Sequence, residues 1–267
     1  MSGSLVRRSN LKESPLMEWL FLCSMAFCAG MIDSAVGGGG LIQLPALFNA
    51  LPQAHPAPLL GTNKLASVFG TASATRSFMR RVQLPWALVL PATVAAFFLS
   101  FAGATAASHI PKEVMKPVVL VLLIAMAVYT LMKKDLGKLH KPAVIGPRER
   151  LTAVLVGGSI GFYDGVFGPG TGSFLIFLFV RCFAFDFLHA SASAKVVNLA
   201  TNLAALSFFV PSGNVMYLVA LPMAACNVAG SLVGARIAIH GGAGLVRVLF
   251  LILVTALIGK FAYDLLL

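Results

Sequence analysis

Apolar positions along this chain fall in long blocks rather than in the alternation of a half-buried strand, and the blocks recur from Leu16 almost to the C-terminus. A helix that crosses a bilayer needs about 17–25 mostly apolar residues. Five blocks are expected in each half: 16–35, 40–51, 64–79, 84–107 and 113–132, then 151–166, 172–187, 194–209, 215–238 and 245–264. They predict an all-α polytopic membrane protein whose helices span the membrane fully or halfway. The chain divides into an N-terminal extension (1–15), a first membrane repeat (16–132), a basic linker (133–150) and a second membrane repeat (151–267). Segments rich in Leu, Ala, Val and Phe without period-two patterning argue for helices over an outer-membrane barrel.

The two halves repeat one another. Gly30-x-x-Asp33-x-x-x-Gly37-x-Gly39 returns as Gly161-x-x-Asp164-x-x-x-Gly168-x-Gly170, displaced by 131 residues. The same displacement carries Lys64 to Lys195, Pro91 to Pro222, Ser100 to Ser231, Gly103 to Gly234 and His109 to His240. Short, glycine- or proline-interrupted apolar segments at matching places in two halves point to the binding site of a transporter.

Composition fixes the environment. Only 11% of the 267 residues are charged and 58% are hydrophobic, whereas a soluble domain carries about 25% charged residues. The net charge of +11 is read as cytoplasmic loop charge under the positive-inside rule rather than as a nucleic-acid surface. Lys133, Lys134, Lys138, Lys141, Arg148 and Arg150 outnumber Asp135 and Glu149 in the linker, which is placed in the cytoplasm. Arg76, Arg80 and Arg81 mark another cytoplasmic turn, but the equivalent FFVPSGNV carries no charge. Conversely, neutral LPQAHPAP corresponds to a stretch with Arg181, Asp186 and His189. The charge bias swaps sides, so the repeats are expected to be inverted in the bilayer, each with an odd number of crossings and both termini outside. Arg7, Arg8 and Lys12 fit poorly with an outside N-terminus. Cys23, Cys28, Cys182 and Cys226 form no C-x-x-C pair and read as packing residues. No metal or other cofactor is expected.

Three groups of residues could carry chemistry. Gly37, Gly38, Gly39 and Gly40, with Gly168, Gly170, Thr171 and Gly172, precede short apolar segments. Their amides would form helix N-termini that attract anions; close helix packing is the alternative. Thr62-Asn63-Lys64 and Ser193-Ala194-Lys195 follow, with Thr62 and Ser193 in expected N-cap positions and each lysine at the head of a helix. A lysine there either binds an anion or snorkels to the headgroups. Asn198 and Asn202 share a helical face with Lys195, and the first-half equivalents, Ser67 and Thr71, make a weaker polar face. Asp33 and Asp164 pair with the lysines, brace the glycine turns or titrate as coupling groups, the structural role being favoured. His109 and His240 are expected at helix ends.

The stretches AGMIDSAVGGGGLIQLPAL, GTNKLASVFGT, GFYDGVFGPGTGSF and SAKVVNLATNLAAL resemble the TauE/SafE family of bacterial membrane transporters, in the subgroup with GGGG in one half and YDG…GPGTG in the other. The resemblance covers nearly the whole chain from Leu16. It implies a multi-pass protein of the bacterial inner (plasma) membrane and a substrate such as sulfite or an organosulfur anion. Ala194 stands where the first half has Asn63, so the half-sites are not chemically equal.

The leading expectation is therefore a secondary transporter of a small anion working by alternating access between two inverted repeats. Its partners are the anion, the lipid bilayer and a coupling ion, proton or sodium; a homodimer is compatible with the sequence, which leaves the oligomeric state open. No G-x-x-x-x-G-K-[ST] motif supplies nucleotide binding. An anion channel is the rival within transport. An intramembrane aspartyl protease using Asp33 and Asp164 is a remote one, because no G-x-G-D partner accompanies Tyr163-Asp164. A scaffold protein would explain packing glycines but not duplicated lysines.

Overall fold

Glycine and proline divide the apolar blocks into helices. The structure, a computed structural model, describes residues 15–111 and 145–241 and the isolated positions 114, 117, 121, 124, 252, 255 and 259. Eight helices lie among them: α1 (Pro15–Val36), α2 (Gly40–Ala50), α3 (Pro56–Met79), α4 (Trp86–Ala107), α5 (Pro147–Val166), α6 (Thr171–Phe183), α7 (Phe187–Phe209) and α8 (Tyr217–Gly241). No strand occurs among the described residues. The N-terminal extension as far as residue 14, the fifth block of each half apart from those isolated positions, and the linker as far as residue 144 lie outside them. So do Arg7, Arg8, Lys12, Lys133, Lys134, Asp135, Lys138 and Lys141.

Helix ends follow local chemistry. Pro56 and Pro147 open α3 and α5, where a missing N–H costs nothing. The Gly146 N–H donates to Glu149 Oε2 at 2.9 Å ahead of α5, and Asp186 caps α7 by accepting from the His189 N–H at 2.8 Å. Gly37 and Gly168 end α1 and α5 with the same φ of 85°, a left-handed conformation that side chains with a Cβ enter only at a cost. α1, α4 and α8 are long and apolar enough to span a membrane, while α2 and α6 are short apolar helices.

The 131-residue displacement survives in three dimensions: α2, α3 and α4 begin 131 residues before α6, α7 and α8. Each half's first helix packs on the other half's fourth, α4 on α5 and α1 on α8, through backbone contacts that only small residues allow. A methyl built on Gly157, Gly161 or Gly165 would sit 2.1–2.5 Å from the carbonyl oxygens of Ala92, Ala96 or Ser100. Gly230 and Gly234 meet the Phe27 and Met31 carbonyls in the same way. The order of these contacts makes α4 run parallel to α5, and α1 to α8.

α3 and α7 behave differently. A methyl on Gly61 would lie 3.0 Å from Phe209 Cβ, and Asn202 Nδ2 lies 3.5 Å from Thr71 Oγ1. Position rises along one helix as it falls along the other, so these two equivalent helices pass in opposite directions. Buried apolar residues gather in two clusters, one mainly on α1, α2, α3 and α8 and the other on α4 to α7. Each cluster draws on both halves.

One expectation needs correction. α3 and α7 each start six residues before Thr62 and Ser193, so neither residue is an N-cap and neither lysine heads its helix. Pro56 and Asp186 provide earlier start signals than the hydroxyls, and the helices continue through the intervening residues. Thr62, Lys64, Ser193 and Lys195 are instead buried positions within their helices.

Candidate functional site: crossed lysine–aspartate pairs around a small polar cavity

The glycine turns bring the motifs of both halves together. Ser173 N–H donates to Gly37 O at 3.0 Å, and a Cβ on Gly172 would fall 2.6 Å from Gly37 Cα. With no side chains at these positions, the turn after α1 rests on the start of α6. Part of the amide supply is spent internally, with Gly37 N–H on Asp33 O and Leu41 N–H on Gly38 O.

Each motif aspartate is bound to the lysine of the other half. Lys64 Nζ lies 2.6 Å from Asp164 Oδ2, and Lys195 Nζ lies 2.6 Å from Asp33 Oδ2. Exchanging residues 131 apart maps one pair onto the other. The first pair is buried on both sides, at 3% and 2% side-chain exposure, whereas Asp33 retains 17%. Lys195 Nζ also donates to the Asp33 carbonyl. The carboxylates brace the glycine turns as well: Asp164 Oδ1 accepts from Thr171 Oγ1 at 2.6 Å, and Asp33 Oδ1 from the Gly39 N–H at 3.4 Å. Two aspartates each committed to an ammonium do not form the proton-sharing dyad that aspartyl proteolysis needs.

Between the pairs lies a cavity of about 20 Å³, room for roughly one water. Its wall includes Asp33, Gly37, Gly40, Asn63 and Lys64 from the first half, and Asp164, Gly168, Gly170, Thr171, Gly172, Asn198 and Asn202 from the second. Gly38, Gly39, Thr62, Ser193 and Lys195 stand outside that wall. Ser67 and Thr71, set aside as the weaker polar face, do line it; their equivalence to Asn198 and Asn202 is the signal that would have found them. Asn63 Oδ1 is buried without a hydrogen-bond partner.

A second layer of polar contacts holds the helices behind this wall. Ser100 Oγ donates to Thr201 O at 3.0 Å, and its equivalent Ser231 donates to Gly70 O at 2.6 Å. Gln43 accepts from Asn227 Nδ2 at 2.9 Å and donates to Asn63 O at 3.2 Å. Sequence reasoning missed this bridge, because its equivalents are Phe174 and Ala96 and the repeat gives no hint of it. The hint available was a lone glutamine in an apolar helix. Met216 N–H donates to Thr62 Oγ1 at 3.0 Å, whereas Ser193 Oγ is unpartnered. The position equivalent to Met216 is Pro85, which has no N–H to give. His109 and His240 sit at helix ends, each with Nδ1 at 2.9 Å from the carbonyl four residues back. No cluster of metal-ligating side chains occurs among the described residues.

A family model described as "Sulfite exporter TauE/SafE" matches residues 22–261. The chain belongs to the TauE/SafE family. It is 40% identical over 251 residues to the probable membrane transporter protein ORF9 of Sinorhizobium sp, covering 93% of both chains. It is 32% identical over 255 residues to the probable membrane transporter protein YfcA of Escherichia coli K12, covering 94% of this chain and 91% of that one. A probable membrane transporter protein of Haemophilus influenzae is 33% identical over 248 residues, with 91% and 94% covered. No solved structure matches the chain at a significant level. The family and these relatives point to a membrane transporter rather than an enzyme, in agreement with the apolar helices of the fold.

Proposed function

We propose that this TauE/SafE chain is a secondary transporter of a small anion, sulfite or an organosulfur anion such as a sulfonate, in the bacterial inner membrane. The observation that carries the reading is the pair of crossed Lys–Asp contacts on either side of a polar cavity, with both lysines and Asp164 buried. Ionisable groups at membrane depth are costly and mark substrate and ion pathways. Lys64 supplies the charge that an anion needs, and Asn63, Asn198 and Asn202 supply hydrogen bonds to its oxygens. Lys195 and the glycine turns hold this wall in place.

A cavity with room for about one water does not admit a multi-oxygen anion as it stands. Loading requires the halves to part on one side, and release requires the other. Two inverted repeats rocking about the cavity accomplish this, as in other transporters built from repeats. The antiparallel passage of α3 and α7, and the swap of charged loops between the halves, both support the inversion.

Flux of sulfite, sulfoacetate and thiosulfate into liposomes holding the purified protein tests the reading. At least one should move faster than in empty liposomes, and Lys64→Ala should reduce that flux at least tenfold. Unchanged flux in both Lys64→Ala and Lys195→Ala would remove the assigned site. Absence of flux under every ion gradient would remove the transporter itself.

A further inference from the structure

The two lysine–aspartate pairs are equivalent in position but not in chemistry. The groups bonded to the Asp33 carboxylate, Lys195 Nζ at 2.6 Å and the Gly39 N–H at 3.4 Å, can only donate. Asp164 differs, because Thr171 Oγ1 lies 2.6 Å from its Oδ1 and 2.8 Å from Gly168 O. A hydroxyl has one hydrogen and accepting capacity besides. With Asp164 ionised, Thr171 gives that hydrogen to the carboxylate. With Asp164 protonated, the carboxyl donates to Thr171, and Thr171 turns its hydrogen to Gly168 O. Both protonation states are hydrogen-bonded without moving a heavy atom. The residue equivalent to Thr171 is Gly40, which offers no such relay to Asp33.

The lysines differ in the same direction. Lys195 Nζ binds both the carbonyl and the carboxylate of Asp33 and is not part of the cavity wall. Lys64 Nζ is on that wall, beside glycine 168, and is bonded to Asp164 Oδ2. An anion that enters the cavity therefore meets Lys64.

We propose that Asp164, and not Asp33, is the proton site of a proton–anion cotransport step. The inference rests on the transporter reading above. The Lys64 ammonium keeps its protons and passes one hydrogen bond from Asp164 Oδ2 to an oxygen of the anion, and the released carboxylate takes one proton from the open aqueous side. The site is neutral before loading, as ammonium and carboxylate, and for a monovalent anion neutral after it, as ammonium, anion and carboxylic acid. Without the proton, an unpaired carboxylate would be left beside an anion among apolar helices. Among the described residues, Lys64 is the one cation bonded to Asp164. α3 contributes Lys64, and α4 has no ionisable side chain. α6 has only Arg181 and Cys182, near its far end. α7 contributes Lys195, already held by Asp33 of α1, and His189, bonded to Asp186. On α5 itself, the Tyr163 hydroxyl donates to Pro169 O at 2.5 Å.

The test is proton movement measured with a trapped pH dye in liposomes holding the full chain, with sulfoacetate and methanesulfonate as probes. Methanesulfonate stays ionised at every accessible pH and carries no proton of its own. About one proton should accompany each methanesulfonate, and a pH gradient alone should drive accumulation. Asp164→Asn should keep anion-for-anion exchange while moving no protons, and Asp33→Asn should keep the wild-type proton-to-anion ratio at whatever flux remains. Wild-type flux without protons overturns the proposal, as does an unchanged ratio in Asp164→Asn or a ratio lost in Asp33→Asn alone. If Asp164→Asn does not fold, the wild-type ratio and Thr171→Val decide. The valine variant should shift the pH of half-maximal flux, and an unshifted profile counts against the relay. No flux of either probe or of sulfite in the wild type would instead sink the transporter reading, a result distinct from flux without protons.

Discussion

Neutralising one member of the Lys64–Asp164 pair should do more damage than neutralising both. The two atoms are 2.6 Å apart and their side chains are 3% and 2% exposed, so each single substitution strands a charge out of water. Stranding a buried partner costs about 3–5 kcal/mol, whereas replacing both members of a pair is often close to neutral. For a chain of this size, 1 kcal/mol moves the unfolding midpoint by roughly 2–4 °C, so Lys64→Met and Asp164→Asn should each lower it by about 10 °C, taken as about 3 °C per kcal/mol. The double variant should recover most of that loss. The assay is thermal unfolding of detergent-purified protein, followed by loss of the monodisperse peak, with and without added anion. The singles should then separate. Asp164→Asn leaves an ammonium open to ligand, and an anion at about 100 times its dissociation constant would return roughly 2.7 kcal/mol. Lys64→Met has no such group and should gain nothing. Losses that simply add in the double variant, or equal rescue of both singles by anion, would refute the idea that this pair is a displaceable lock.

Three further outcomes follow from the packing. Gly165→Ala places a methyl 2.1 Å from the Ser100 carbonyl oxygen, so α4 and α5 must part; overpacking of this kind costs about 1–3 kcal/mol, read as a lower unfolding midpoint. Thr62→Val removes the acceptor of the Met216 N–H and should cost about 1–3 kcal/mol, while Ser193→Ala, which removes an unpartnered hydroxyl, should be neutral or stabilising in the same assay. Cysteines placed at Arg80 and Ser212 should react with an impermeant reagent from opposite faces of oriented vesicles; reaction of both from one face would contradict the inversion.

The repeat, read as bare spacing, already located most of what the fold brings together. Gly37, Gly168, the two aspartates and Lys64 line one cavity, and Lys195 is bonded to Asp33 beside it. What spacing did not give was the crossing. Nothing in a one-dimensional offset says that Asp33 answers Lys195 rather than Lys64, because that depends on each half's first helix packing on the other half's fourth. Helix starts at α3 and α7 were missed for a different reason. Thr62 and Ser193 are good caps in isolation, but Pro56 and Asp186 lie upstream, and an apolar environment rewards extending the helix over an exposed backbone. The Gln43–Asn227 bridge was invisible because it breaks the repeat.

Thr71 and Asn202 hold equivalent places and touch one another, Asn202 Nδ2 lying 3.5 Å from Thr71 Oγ1. In a dimer of identical subunits, the residue on the symmetry axis can only face its own likeness. Fusion into one chain lifts that restriction: a hydroxyl can meet an amide, and by the same freedom Thr171 can stand where the other half keeps Gly40. A symmetric ancestor would have had to treat its two carboxylates alike. The covalent link between the halves is thus what permits a division of labour at the centre, one side kept as a fixed strut and the other left free to exchange partners.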